Sequence, residues 1–281
     1  MNFHTAPFTY TGEVYLNVLD LDRSVQFYKE VIGFKVLEQH SNKAILTADG
    51  KTPLLIVEQP ENVTPKEPNR SGLYHFALLL PERADLGMII KHFVQNNVRI
   101  GASDHMVSEA LYLSEPDGNG IEIYTDREPS EWDWQAGNIS MATDPLDAES
   151  VVAESGGQTW DGLPAGTVMG HVHLHVAHLA ETEKFYQALG FEVTTHYPQA
   201  LFMSNGKYHH HLGLNLWNGE GAPRATEGSV GLQAFALIYP NEVEVKEAIM
   251  KVEALDAKVE LSGSSFITED PSGNKIILRV Q

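Results

Sequence analysis

The sequence predicts an α+β fold of four βαβββ modules, closing as two barrel-like curved sheets with helices outside. Internal repetition, period-two alternation and helical spacing together carry that expectation. Gly12-Glu-Val-Tyr-Leu-Asn-Val18 lies over Gly170-His-Val-His-Leu-His-Val176, and the match runs on through Phe27-Tyr28 over Phe185-Tyr186 and Gly33-Phe34 over Gly190-Phe191. A second correspondence places Phe76-Ala77-Leu78 over Phe235-Ala236-Leu237 and Pro116-Asp-Gly-Asn119 over Pro271-Ser-Gly-Asn274. Each half holds two units. In the first, Val14–Val18 alternates as a strand does, and Leu21, Val25, Tyr28 and Ile32 give Asp20–Ile32 a helical face that Gly33 ends. Strand-like runs follow at Phe34–Glu38, Lys43–Thr47 and Pro53–Glu58. The second repeats the order: strand Leu73–Leu79, helix Glu82–Asn96, then strands Ser103–Val107, Ala110–Ser114 and Ile121–Tyr124. The expected organisation is residues 1–128 and 167–281 as two domains of two modules each, joined by a linker over 129–166, where Gly, Pro, Ser and acidic residues replace periodicity.

The charge balance excludes several partners. The chain of 281 residues carries 38 Asp and Glu against 19 Lys and Arg, a formal charge of −19. So acidic a surface argues against nucleic acids and anionic membranes, which need clustered cations. There is no cysteine, which removes disulfides, thiolate nucleophiles, Cys-ligated zinc and iron–sulfur clusters. The first residues lack a basic and then apolar leader, and no stretch approaches the roughly 18 apolar residues of a membrane span. A cytoplasmic protein, monomeric or homo-oligomeric, is the expectation.

Two segments make a specific resemblance. Leu16-x-Val-x-x-Leu-x-x-Ser-x-x-Phe-Tyr28 with Gly33-Phe34, and Asp104-His-x-Val-Ser-Glu-Ala-Leu-Tyr112 with Asp117-Gly-Asn-Gly-Ile-Glu-Ile-Tyr124, resemble the vicinal-oxygen-chelate superfamily of glyoxalases, bleomycin-resistance proteins and extradiol dioxygenases. Gly170-His-Val-His-Leu-His-Val176 and Tyr208-His-His-His-Leu-Gly-Leu-Asn-Leu-Trp217 narrow the likeness to the catechol-2,3-dioxygenase-like proteins of bacilli. The resemblance covers nearly the whole chain outside the linker and implies the glyoxalase/dioxygenase fold.

Metal ligands follow from the repeat itself. In the third unit, Val172, Leu174 and Val176 share one strand face and His171, His173 and His175 the other. The position three before the strand leucine is Glu13, His75, His171 and Ala234 in the four units, and the last-strand position is Glu122 in unit two and Ile277 in unit four. Pairing units three and four would leave one histidine; pairing one and two would give one histidine with two glutamates. Only units two and three together offer His75, Glu122 and His171. Two imidazoles and a carboxylate with open positions make the facial set of non-haem Fe(II) oxygenases. A lone strand histidine is ordinarily just a satisfied polar group; here two fall at equivalent repeat positions with a glutamate on the matching strand. His173 and His175 are expected to line the cavity.

His209-His210-His211 is expected at the start of the last strand of unit three. By resemblance to extradiol dioxygenases, His210 matches the acid/base histidine and Tyr112 the tyrosine that hydrogen-bonds a substrate oxygen. Strand parity complicates the choice: His210 shares a face with Leu212 and Leu214, while His209 and His211 share one with Asn215. Either could replace His210, and Tyr112 has the alternative of a core or rim aromatic; His105 sits nearby without a role. The favoured activity is extradiol ring cleavage of a catechol-type aromatic diol with O2, using a divalent metal, with Fe(II) ahead of Mn, Zn, Ni or Co. The rivals are a glyoxalase-type isomerase or lyase using the metal as a Lewis acid, and a non-catalytic, bleomycin-resistance-like binding protein.

Overall fold

The computed structural model describes all 281 residues. Unit one comprises β1 (Tyr10–Asn17), α1 (Leu21–Phe27), β2 (Lys35–Gln39), β3 (Lys43–Thr47) and β4 (Pro53–Glu58); unit two comprises β5 (Gly72–Leu79), α2 (Arg83–Gln95), β6 (Gly101–Asp104), β7 (Ser108–Ser114) and β8 (Gly120–Asp126). A short hairpin, β9 (Trp134–Gln135) and β10 (Asn138–Ile139), and α3 (Ala148–Glu154) follow. Unit three is β11 (Val168–His175), α4 (Leu179–Ala188), β12 (Glu192–Tyr197), β13 (Ala200–Ser204) and β14 (Leu212–Asn215). Unit four is β15 (Gly231–Tyr239), α5 (Glu242–Glu253), β16 (Val259–Ser262), β17 (Ser265–Glu269) and β18 (Lys275–Val280).

Two eight-stranded sheets result, ordered β16-β17-β18-β15-β1-β4-β3-β2 and β12-β13-β14-β11-β5-β8-β7-β6. Unit two therefore pairs with unit three, and unit one with unit four. Positions 128 and 167 mark the sequence duplication, while each sheet draws one unit from either side. Within a unit the first and last strands run parallel, as β5 with β8 and β11 with β14 do. The two units of a sheet join through antiparallel first strands, β5 with β11 and β1 with β15. Outward faces bury Leu16, Phe76, Leu174 and Phe235 in one core that spans both sheets. No helix is long and apolar enough to cross a membrane.

Local chemistry sets the element ends. Asp20 accepts from the Arg23 amide at the start of α1, and Asn241 accepts from Val243 and Glu244 at the start of α5. The helix expected over Asp20–Ile32 divides: α1 gives way at Tyr28–Ile32 to a wider π turn. Gly33 closes that turn at φ 95°, and a Cβ there would lie 2.5 Å from the Gly162 Cα. Glycine is required by both the left-handed backbone and the close approach. The strand expected over Ser103–Val107 is displaced to Gly101–Asp104. The Asp104 side chain accepts from the Met106 amide at 2.9 Å and Met106 turns to φ 69°, so local side-chain bonding breaks the strand. The segment expected to be a plain linker holds β9, β10 and α3, with Val151 of α3 fully buried in the core.

The duplication survives in buried detail. Asn119 donates through backbone and side chain to Glu115 at 3.0 and 2.9 Å, and Asn274 does the same to Asp270 at 2.9 and 2.8 Å. Burial pushes the Asp270 carboxyl upward, and the donors around it oppose that shift. Asn274→Ala removes one donor from a buried carboxyl group. It is expected to lower unfolding free energy by about 1–3 kcal/mol, read from the urea midpoint at unchanged m-value.

Candidate metal centre

The inner face of the sheet of units two and three is built around a small residue. Ala77 on β5 lies opposite Glu122 of the parallel β8 and opposite His171 of the antiparallel β11. His75 is two residues away on the same strand face. Tyr112 of β7 is in register with Glu122, and Ala110 with Tyr124. A methyl group at position 77 leaves room between the two longer side chains, and their ends converge. Glu122 Oε2 is 3.0 Å from His75 Nε2 and 3.1 Å from His171 Nε2, and the two imidazole nitrogens are 3.3 Å apart. All three residues are buried, and one ligand atom from each lies within 4.8 Å of the others. Three donors of a type that suits a divalent cation thus face one point.

The charge states suit the same use. Burial pushes the His171 imidazole down to about 4, so it is neutral near pH 7 with a lone pair to offer. Burial alone would raise the Glu122 carboxyl, but the His171 and His75 rings outweigh it and hold the group well below the usual carboxylate range. A buried carboxylate between two imidazoles, with no Lys or Arg against it, is a place that a cation would suit. The sheet of units one and four has no such set. Glu13 of β1 is instead engaged by Arg279 of β18 at 2.5 Å and by the Tyr15 hydroxyl at 3.0 Å. A guanidinium from the protein's own chain offsets the charge there.

Tyr112 and His210 flank the cluster. The Tyr112 and His75 ring centroids are 5.7 Å apart, and those of His210 and His171 4.1 Å. Burial and the neighbouring Glu122 charge raise Tyr112 well above the ordinary phenol range, so its hydroxyl keeps its proton. His105 Nδ1 donates to the Ala142 carbonyl at 2.6 Å, and its Nε2 accepts from the Tyr112 hydroxyl at 2.5 Å. His105 thus orients Tyr112, and a carbonyl from the 129–166 segment orients His105. His173 packs edge-on against Tyr74 and His75, and His175 Nδ1 lies 2.7 Å from Asn215 Oδ1. A cavity of about 1140 Å³ opens between the ends of the two sheets and reaches Tyr74, His75, Tyr112 and His175.

The histidine triplet lies outside the strand that was expected to begin with it. Residues 209–211 form the approach to β14, and all three are buried. Strand parity therefore does not apply to them. Each ring has its own setting. His210 lies against His171 and Phe202, His209 against Trp132 and Tyr124, and His211 Nε2 donates to the Phe3 carbonyl at 3.2 Å. Asp126, which accepts from His209 at 2.7 Å, was not singled out in the sequence. Its signal would have been the end of the strand that carries Glu122, four residues on.

Several of these imidazoles are pushed down by burial, among them His4 and His211, which sit edge to face 5.3 Å apart. Their folded-state pKa values lie below the unfolded value near 6.5. Below that pH the unfolded chain binds protons that the folded chain refuses, so stability is full above about 6.5 and falls as the medium is acidified. The melting temperature of metal-free protein is expected to drop progressively as the pH falls below about 6.5. His211→Gln should flatten the slope.

Comparisons with known proteins agree with this architecture. The profile of the Glyoxalase/Bleomycin resistance protein/Dioxygenase superfamily matches residues 4–123 and 168–278. The chain is 43% identical over 268 residues to catechol-2,3-dioxygenase of Bacillus subtilis (strain 168), covering 94% of each. A solved protein of Bacillus subtilis subsp. subtilis str. 168 with a provisional dioxygenase name superposes at a TM-score of 0.71. The overlap covers 97% of this chain and 85% of that one at 12% identity. Glyoxalase I from Zea mays superposes at 0.57 over 96% and 92% of the two chains at 18% identity, a likeness of fold. The chain belongs to the glyoxalase/bleomycin resistance protein/dioxygenase superfamily.

Proposed function

We propose that the protein is an extradiol ring-cleavage dioxygenase for a catechol-type aromatic diol, with Fe(II) held by His75, Glu122 and His171. The convergence of these three donors, with one ligand atom from each within 4.8 Å of the others, carries the reading. The 43% identity to a protein named catechol-2,3-dioxygenase supplies the substrate class. The donor set fits the metal: two imidazole nitrogens and one carboxylate oxygen, with no fourth protein ligand in the cluster. Fe(II) in such a set supplies a centre at which an aromatic diol and O2 can be brought together.

The chain's own residues do the rest. The cavity admits a planar diol past Tyr74 to the face of His75 and Tyr112. The Tyr112 hydroxyl donates its hydrogen bond to His105, so its oxygen is left to accept from a diol hydroxyl. His210, pressed against His171, takes a hydroxyl proton and returns it to the opened product. A neutral imidazole at rest suits that role, and burial lowers its pKa. A glyoxalase-type reaction would call for a second carboxylate beside the metal, and β14, Leu212–Asn215, supplies none.

Glu122→Gln and His171→Ala are each expected to lose metal and ring cleavage while remaining folded. Metal content after anaerobic purification and circular dichroism give the two readouts; full metal content in either variant would overturn the ligand assignment. His210→Phe is expected to keep its iron and still bind catechol, with kcat lower by roughly a hundred- to ten-thousand-fold. His209→Phe and His211→Phe should cost less. Ring-fission absorbance with iron-reconstituted protein compares the three, and the smallest loss at His210 would move the acid/base role elsewhere.

A further inference from the structure

His210 is one of three consecutive histidines, and the hydrogen bonds of its neighbour determine which of its nitrogens is free. Asp126, at the end of β8, presents Oδ1 to His209 Nε2 at 2.7 Å. The Tyr208 hydroxyl donates to the same oxygen at 3.3 Å, and the Tyr124 hydroxyl lies 2.6 Å from that of Tyr208. A carboxylate only accepts, so His209 carries its proton on Nε2. With a single N–H on the ring, placed on Nε2 by Asp126, Nδ1 of His209 is a bare lone pair. That lone pair is 2.8 Å from His210 Nδ1. The contact is a hydrogen bond only if His210 donates, so His210 holds its proton on Nδ1 and leaves Nε2 bare. The reverse arrangement would set a lone pair of the covered His209 ring against a carboxylate oxygen, an unmade bond of the costly kind.

We propose that Asp126 and His209 are positioning residues that hold His210 in the Nδ1–H tautomer, so that Nε2 is the atom that accepts the substrate proton. The inference rests on the reading of His210 as the acid/base group. When Nε2 takes a hydroxyl proton, the ring becomes an imidazolium whose Nδ1–H still points at His209. Asp126 faces the new charge through two hydrogen bonds, its own with His209 and that of His209 with His210. The proton returns from Nε2 to product, and nothing else changes hands. The logic is that of an aspartate fixing a catalytic imidazole in a hydrolase triad, with one extra imidazole inserted.

Asp126 is reached separately from the substrate. A second cavity, about 340 Å³, is lined by Met1, His4, Asp126, Arg127 and Tyr208 among others, and shares no wall residue with the large one. The Asp126 side chain is 21% exposed there, whereas that of His209 is fully covered. A small carboxylate can therefore enter beside position 126 without passing the diol.

Two measurements test the proposal. Nitrogen-15 spectra of histidine-labelled protein with Zn(II) added in place of iron report the tautomers directly. The expected wild-type result is a proton on His209 Nε2 and on His210 Nδ1. In Asp126→Asn the side-chain amide can donate to His209, and His210 is expected to lose its single tautomer. The kinetic readout is a drop in kcat of about ten- to a hundred-fold in Asp126→Asn and Asp126→Ala, with KM for catechol and iron content unchanged. Added formate is expected to restore part of kcat in Asp126→Ala alone. A wild-type His210 protonated on Nε2, a doubly protonated His209, or variants that lose iron or KM instead of kcat would overturn the assignment. Absence of catechol cleavage by the wild-type protein would instead sink the dioxygenase reading, and the wild-type spectra need neither turnover nor a folded variant.

Discussion

The antiparallel ladder between β5 and β11 brings together His75 and His171, which are 96 residues apart in sequence. Neither unit contains a metal set by itself: unit two has one imidazole and a carboxylate, unit three one imidazole. The three donors meet only across the ladder, at the point where Ala77 faces Glu122 on one side and His171 on the other. Shifting β11 by one residue would turn His171 into the apolar layer and Val172 toward Glu122. The buried row Val172, Leu174 and Val176 resists that shift, since it would have to leave the core that spans both sheets. Core packing on the outer face thereby holds the donor cluster on the inner one.

The second sheet shows what the same frame does without a metal set. Its first strands carry Glu13 and Ala234 at the corresponding positions, and its last strand Ile277. Arg279 and Tyr15 close on the buried Glu13 carboxylate. A lone carboxylate in a barrel interior must find positive charge or donors. In the sheet of units one and four the chain provides a guanidinium; in the other the Glu122 carboxylate meets only two imidazoles. That contrast is the electrostatic reason to place a cation in one sheet and not in the other.

Segments outside the repeats complete the site. Ala142 of the 129–166 segment anchors His105, which orients Tyr112, and Trp132 donates to the Val107 carbonyl at 3.2 Å while covering His209. At the other end of the chain Phe3 packs on Trp132 and Tyr208, and His4 donates to the Gly170 carbonyl at 3.0 Å. These pieces roof the histidine triplet and keep its rings out of water. The connector and the first residues thus support the candidate chemistry as much as they join units.

Much of this was legible in the residues alone. The repeat ruler named His75, Glu122 and His171, because equivalent positions in duplicated units must occupy equivalent places, and it selected the pairing of unit two with unit three. Alternation placed Lys43–Thr47 and Pro53–Glu58 at their bounds, since a strand buried on its faces has little freedom in register. It misplaced the strand near Ser103 because a single aspartate side chain bonded to the Met106 amide outweighs the pattern. It also misled on residues 209–211, where period two has no meaning outside a strand. Only the tertiary structure joined Asp126 to His209 and His105 to Tyr112. Those contacts depend on how loops fall over the barrel, and loop hydrogen bonds leave no period in the sequence. Residue types and repeat spacing decided which donors could form a metal set, and packing between distant segments decided which way each imidazole faces.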